Sequence, residues 1–307
     1  MLNVTRIGVL REVARHGSFS GAAESLGYTQ PAVSRQVATL EAETGAVLVK
    51  RAAKGARLTD AGQVLVRHAD AIFAALDDAE SELRAVMGLE AGRVRLATFS
   101  SAAASIVPLA IARFRAIHPS VELAVEILEE EESIPRVRCG ELDIALSNDA
   151  ESAPGEPIER IHLFDDPMYV ALPTGHRLAQ RPKLRLRDLS DEPWMLGTTA
   201  TCPDARMFKR ACHAAGFEPN ISFENDDYHA ILGFVAAGIG IALIPDLAAR
   251  AARQDLVVRS LGTGAPVRQV IAVVPAGYRA PAAEAMLEVL LSVGSEWERA
   301  GQAIVYP

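Results

Sequence analysis

Residues 18–44, SFSGAAESLGYTQPAVSRQVATLEAET, constrain this chain more tightly than any other stretch. Two helix-length runs meet at Gly27-Tyr28-Thr29. Ser18 has the side chain of an N-cap, and Ala22, Ala23 and Leu26 are mostly small apolar positions that let short helices approach closely. Gly27 supplies the turn. Thr29 can cap the next helix, and Pro31 falls in its first turn, where a missing N–H costs nothing. Val33, Val37 and Leu40 then recur at i, i+4 and i+7 as a core stripe. Gln30, Ser34 and Arg35 lie off that stripe near the helix start, where a recognition helix presents side chains to the major groove. Gln can bond adenine and Arg guanine, each pair worth roughly 1–3 kcal/mol of discrimination. A preceding helix over about 3–15, with Ile7, Leu10, Val13 and Ala14 on one face, ends at Gly17. A plain helical hairpin with a solvated polar face has the same spacing.

The next residues favour the first reading. Val47-Leu48-Val49 predicts a short strand, KRAAKGAR a basic turn, and Leu58-Thr59 the returning strand, which together make a wing. Lys50, Arg51, Lys54 and Arg57 suit phosphate contacts that supply affinity and register rather than sequence readout. Residues 1–62 carry eight Lys/Arg against five acids, and the remainder 23 against 34, so the formal charge of −8 hides a basic head on an acidic body. That split suggests a polyanion partner for the head. The run GSFSGAAESLGYTQPAVSRQVATLEAETGAVLVKRAAKGARLTDAG resembles the N-terminal winged helix-turn-helix of LysR-type transcriptional regulators. It shares the Gly-Ser-Phe-Ser lead, the paired alanines, Gln-Pro-Ala-Val-Ser-Arg, Leu-Glu before the wing, and Leu58-Thr59-x-x-Gly62. Leu48-Val49 departs from the Leu-Phe common in the family, which is a packing change. The expected DNA-binding set is Ser18, Thr29, Gln30, Pro31, Ser34, Arg35, Lys50, Arg51, Lys54 and Arg57.

Thr59 can cap a long helix reaching about Met87. Leu65, Ala69, Ile72, Leu76, Ala79, Leu83 and Val86 alternate by four and three within it, as a coiled-coil seam does. An amphipathic helix packed on its own domain has the same pattern. A dimer fits the head, because two recognition helices on a two-fold axis read a palindromic pair of half-sites. Gly88 and Gly92 end the helix and open a joint. The expected domains are therefore a head over 1–58, a linker over 59–92 and a body over 93–307.

From Arg93 the chain alternates strands (RVRLATF, VELAVEIL, DIALS, MYVALP, WMLG, ISFE, GIALIP, RQVIAVV) with helices near 104–117, 204–215, 228–237 and from 281. This order predicts an α/β body with parallel sheets. GELDIALS and FVAAGIGIALIP resemble the effector-binding domain of the same family. The resemblance implies a bilobal, periplasmic-binding-protein-like fold, with lobe I over about 93–161 and 268–307 and lobe II over about 162–267. Its crossovers fall near 160–166 and 262–268. A cleft between lobes suits a small molecule. Ser100 and Ser101 after the first strand, and Thr198, Thr199 and Thr201 after WMLG, can cradle an anion, or act only as helix caps. Asn148 and Asp226 sit at strand ends and can bond an amine or hydroxyl, or equally cap the next helix. These seven are the expected effector residues, and the expected effector is a small organic molecule, a carboxylate or an amino acid.

EEEE at 129–132 reads as a solvated face rather than a metal site, and the seven histidines show no ligand spacing. No metal or other cofactor is expected. The start MLNVTRIGVLREV lacks a signal-peptide pattern, no apolar run is long enough for a membrane span, and three cysteines fit a reducing cytoplasm. One branch of the family senses peroxide through a cysteine pair in the region of Cys202 and Cys212, but ten helical residues would hold these ~15 Å apart. No nucleophile elbow, P-loop or dinucleotide fingerprint appears, so a non-enzymatic regulator is favoured over a catalyst or solute carrier. The resemblance implies double-stranded DNA, a second copy of the chain (a dimer, assembling to a homotetramer) and an effector as partners, with RNA polymerase a further candidate.

Overall fold

Local capping chemistry sets the head. In the computed structural model, which describes residues 2–52, 55–86, 92–148, 157–196, 203–225 and 227–302, Asn3 Oδ1 accepts from Arg6 N at 3.2 Å and opens α1, Val4–His16. Ser18 Oγ accepts from Gly21 N at 3.0 Å and opens α2, Phe19–Leu26. Gly17 and Gly27 end these helices at φ +59° and +65°, the left-handed region that glycine enters without a Cβ penalty. α3 runs Gln30–Thr44 with Pro31 in its first turn. The expected cap from Thr29 does not form. Its hydroxyl makes no capping bond, and its carbonyl instead accepts from Ala32 N and Val33 N. Val33, Val37 and Leu40 are buried as the stripe predicts, with Val33 and Val37 packed against Val9, Val13, Ala22 and Ala23.

The wing pairs β1, Val49–Ala52, with β2, Gly55–Leu58, antiparallel. The strand expected over 47–49 thus begins two residues late. The Glu41 carboxylate accepts from Leu48 N (2.8 Å) and Val49 N (3.1 Å), fixing the approach before strand pairing begins. Thr59 caps α4, Asp60–Val86, by accepting from Gly62 N at 3.1 Å, and donates to Val47 O at 2.7 Å. A Cβ on Gly62 would lie 2.2 Å from Leu48 O, which explains the glycine in Leu-Thr-x-x-Gly.

The seam expected along α4 divides. Ala69 is fully buried beneath Ile7, Leu10, Leu40 and Leu48 of its own head, with Leu65 and Ile72 packed on the same cluster. Ala69 is therefore closed off within the head, while Leu65 and Ile72 are partly covered by it. Leu76, Ala79 and Leu83 are exposed. The Val86 side chain and residues 87–91, including Gly88 of the expected joint, lie outside the described residues.

By packing, the chain divides into two units, Met1–Met87 with Arg138–Glu141, and Gly88–Val137 with Leu142–Pro307. In the second unit β3 (Arg93–Thr98) leads through the single turn α5 (Ser100–Ala103) to α6 (Ile106–Ile117) and β4 (Glu122–Ile127), then α7 (Glu130–Arg138) and β5 (Ile144–Ser147). β6 (Ile158–Pro173) crosses to β7 (Pro193–Leu196), α8 (Pro203–Ala214), β8 (Asn220–Glu224), α9 (Tyr228–Ala236), β9 (Ile241–Pro245), α10 (Asp246–Ala249) and β10 (Leu256–Arg259). β11 (Val267–Pro275) returns to α11 (Pro281–Gln302). The strand order is β4-β3-β5-β11-β6-β9-β7-β8, with β10 on β6.

The sheet is mixed, which corrects the expected all-parallel pairing. β3–β4, β3–β5, β7–β8 and β7–β9 are parallel, but β11 runs antiparallel to β5 and β6, and β6 antiparallel to β9 and β10. The reason is topological: β6 and β11 are the two crossovers, one leaving lobe I and one re-entering it, and they pair with each other. MYVALP is only the second half of β6, and β10 had no counterpart in the sequence reading. Lobe I buries Phe114, Phe164 and Met286 among β3, α6 and α11, and lobe II buries Trp194 against Phe208, ring centroids 4.9 Å apart. Each such side chain contributes about 1.5–3 kcal/mol.

Candidate nucleic-acid interface and effector site

On α3 the apolar stripe faces the head core and leaves the opposite side of the first turns outward. Gln30, Pro31, Ala32 and Arg35 are exposed, Ser34 is half-buried, and Thr29 is exposed just ahead of them. Ser18, expected among the DNA-binding residues, is engaged as the cap of α2. Lys50 and Arg57 are directly paired across the wing ladder and both are exposed. Lys54 and the Arg51 side chain lie outside the described residues. The wing is seated by Ala56 N donating to Gly17 O at 2.8 Å, and a Cβ on Gly55 would lie 2.4 Å from the same oxygen. Glycine at 55 and the turn at 17 thus bring the basic ribbon beside the start of α2. Such a surface can grip phosphates while a helix N-terminus meets base edges.

The second site is built where the lobes join. Arg268 and Asp166 are direct cross-strand partners on β11 and β6, and the guanidinium Nε donates to Asp166 Oδ2 at 2.8 Å. Nη1 donates to Asp204 Oδ2 at 2.7 Å, and Nη2 to Ser101 Oγ at 2.7 Å. Asp204, in the first turn of α8, also accepts from Asn148 Nδ2 at 2.7 Å and Tyr228 Oη at 3.1 Å. Asp166 Oδ1 accepts from Leu247 N at 3.1 Å. The Phe99 ring centroid lies 5.1 Å from the guanidinium carbon. Arg268 is only 3 % exposed, Asp166 1 % and Asp204 7 %. One cation therefore faces two carboxylates in a nearly dry setting. Burial pushes the Asp166 carboxyl up to about 6, against the pull of Arg268. For Arg268 burial acts downward, but Asp204 and Asp166 outweigh it and raise its pKa.

Of the expected effector residues, Ser101 and Asn148 are brought together through Arg268 and Asp204. Ser100 is half-buried at the start of α5, its carbonyl accepting from Ala104 N. Thr198, Thr199, Thr201 and Asp226 lie outside the described residues. The neighbouring Asp227 caps α9, accepting from His229 N at 2.8 Å. Sequence reasoning missed Arg268, Asp166, Asp204 and Tyr228. The available signal was charge at the threshold of apolar strands: Asp165-Asp166 before MYVALP, and Arg268 at the head of RQVIAVV. Of EEEE, Glu129, Glu131 and Glu132 are exposed as expected, and Glu130 alone departs from the solvated face. Glu130 accepts from Asn148 N at 3.0 Å and from Ser147 Oγ, so it positions Asn148 instead of only meeting solvent.

Cys212 is buried in the lobe II core, and burial pushes its thiol up to about 12. That burial disfavours the thiolate from which peroxide chemistry would start. Cys202 lies outside the described residues. Among the described residues no group of three or more His, Cys, Asp and Glu is placed to hold a metal, and no helix is long and apolar enough to cross a membrane.

A winged helix-turn-helix followed by a bilobal α/β domain with a polar cluster at its lobe junction defines a ligand-responsive, DNA-binding transcriptional regulator. Two family models match in agreement: the bacterial regulatory helix-turn-helix of the lysR family over residues 4–63, and the LysR substrate-binding domain over residues 87–295. The chain belongs to the LysR family of transcriptional regulators. It is 31% identical over 309 residues to the probable HTH-type transcriptional regulator LrrA of Synechococcus elongatus, covering 98% of this chain and 100% of that protein. Its fold is similar to full-length CbnR in complex with its target DNA (TM-score 0.70, 22% identity, 95% and 99% of the two chains). It is also similar to the BenM effector-binding domain holding benzoate (TM-score 0.60, 21% identity, 70% and 96%).

Proposed function

We propose that two copies of this chain, assembling further to a homotetramer, present paired α3 helices to a palindromic operator and change their grip when a small organic acid binds at the lobe junction. Gln30, Ser34 and Arg35 read base edges, while Thr29, Lys50, Arg51, Lys54 and Arg57 hold the phosphates. Ser101 and Asn148, whose side chains join the Arg268–Asp204 cluster, together with Ser100, Thr198, Thr199, Thr201 and Asp226, are the residues assigned to the effector. The observation that carries the DNA assignment is the exposed polar start of α3 above a fully buried apolar stripe, with Lys50 and Arg57 exposed on the adjoining wing. CbnR, similar in fold, is seen with its target DNA, and the BenM domain with benzoate, a carboxylate. The exposed half of α4 supports self-association through Leu76, Ala79 and Leu83.

A gel shift on the promoter upstream of the chain's own gene tests this. The Gln30→Ala/Arg35→Ala variant should lose at least tenfold in binding to that promoter, given roughly 1–3 kcal/mol for each base contact, while retaining its salt-sensitive binding to random duplex. An unchanged shift removes the recognition-helix assignment.

A further inference from the structure

We infer that Asp204 is the chain's own occupant of a carboxylate subsite formed by Arg268, Asn148 and Tyr228, and that the effector's carboxylate takes its place. This rests on the ligand-responsive reading above and adds the subsite and the event that signals binding.

Three donors converge on one carboxylate: Arg268 Nη1 at 2.7 Å, Asn148 Nδ2 at 2.7 Å and Tyr228 Oη at 3.1 Å. Charge-assisted bonds from a guanidinium, backed by neutral donors, are the chemistry that recognises an organic acid. The donors come from different parts of the domain: Asn148 follows β5 in lobe I, Tyr228 opens α9 in lobe II, and Arg268 stands on the crossover strand β11. Asp204 itself belongs to α8 of lobe II. Asp166 already pairs with Arg268 through Nε, in strand register and with its second oxygen held by Leu247 N. Asp204 is thus the second anion on a single cation. Among the described residues one guanidinium meets two carboxylates, and the strand register and the Leu247 N bond hold Asp166, so Asp204 is the exchangeable partner and Asp166 the permanent one.

An incoming carboxylate competes for the same donors and forces Asp204 out. Because Asp204 ties α8 to Asn148 of lobe I, its release breaks a bond between the lobes. Binding and signal are then a single exchange. A ligand shifts an equilibrium only through differential affinity, and here the difference is whether Asp204 keeps its place.

Formate is the carboxylate removed when aspartate becomes alanine, so full-length Asp204→Ala should bind it. Thermal shift at constant ionic strength, formate against chloride, should give at least a tenfold lower half-saturating formate concentration for Asp204→Ala than for wild type. Asp204→Ala/Arg268→Met should lose that response. If Asp204→Ala fails to fold, Asp204→Asn with acetate as probe carries the test, expecting a severalfold gain over wild type. No gain overturns the inference, as does stabilisation of wild type by methylammonium that disappears in Asp204→Ala, which would make Asp204 a ligand for amines. Operator binding by the same variants, read by gel shift, separates the two readings. A normal shift with no carboxylate gain fails the subsite alone, whereas loss of any salt-sensitive DNA preference in wild type fails the regulator reading itself.

Discussion

Removing the Arg268 guanidinium strands two buried carboxylates, whereas removing either carboxylate leaves a one-to-one pair. Arg268→Met should therefore lower the unfolding free energy of the ligand domain by about 3–5 kcal/mol, the scale for orphaning buried charge. Asp166→Asn should cost roughly 1–3 kcal/mol, since one donor is left facing an amide. Urea midpoints of the two variants should fall in that order, and the reverse order would mean the cluster is not held by its cation. The same cluster sets a pH dependence. With its carboxyl raised to about 6, folded Asp166 retains a proton that the unfolded chain releases near 4. Between those values the native state binds more protons, so this contribution to stability declines as pH rises from about 4 to about 6. Wild type minus Asp166→Asn, followed by urea midpoint across that window, should show the decline.

At the scale of elements, what the sequence disclosed tracks how local the physics is. The three head helices were legible because Ile7, Leu10 and Val13, and Val33, Val37 and Leu40, keep helical spacing, Ser18 caps within three residues, and Gly17 and Gly27 adopt positive φ. The Thr29 cap was overread because a hydroxyl at that position permits a bond without forcing one. The seam on α4 was only partly legible: a heptad pattern specifies an apolar face but not which surface covers it, and the head buries Ala69 with Leu65 and Ile72 partly buried against the same cluster. Charge at the strand thresholds marked Asp166 and Arg268, but the pairing of Arg268 with Asp166 and Asp204 was not legible because these partners lie 102 and 64 residues away. Two consequences follow for elements. Gly62→Ala should melt the head several degrees earlier by circular dichroism, because a Cβ would meet Leu48 O at 2.2 Å and backbone has little room to yield. Leu76→Glu/Leu83→Glu should shift sedimentation toward smaller species at micromolar concentration, whereas an unchanged profile would place self-association elsewhere.

For the whole molecule, a head with eight Lys/Arg against five acids and a remainder with 34 acids against 23 Lys/Arg make DNA affinity a property of one end. Lys50→Ala should weaken operator and random duplex alike and reduce the log affinity–log salt slope by about one per bound head. A change confined to the operator would mean Lys50 reads bases. The ligand domain is organised by its crossover pair: nine register partners run from Val267↔Pro167 to Pro275↔Ile158, with one irregularity at Val270/Ile271. β5 grips this ribbon through Ile271–Val273, and β9 grips it through Met168–Ala171, so the stretch bearing Arg268 lies between the two attachments. A hydrogen-bonded ribbon resists being pulled lengthwise or sheared but yields to torsion. Such a junction would favour rotation of the two lobes about a common spindle over their drifting apart, so that the arrival of a molecule only a few ångströms long would be read as an angle.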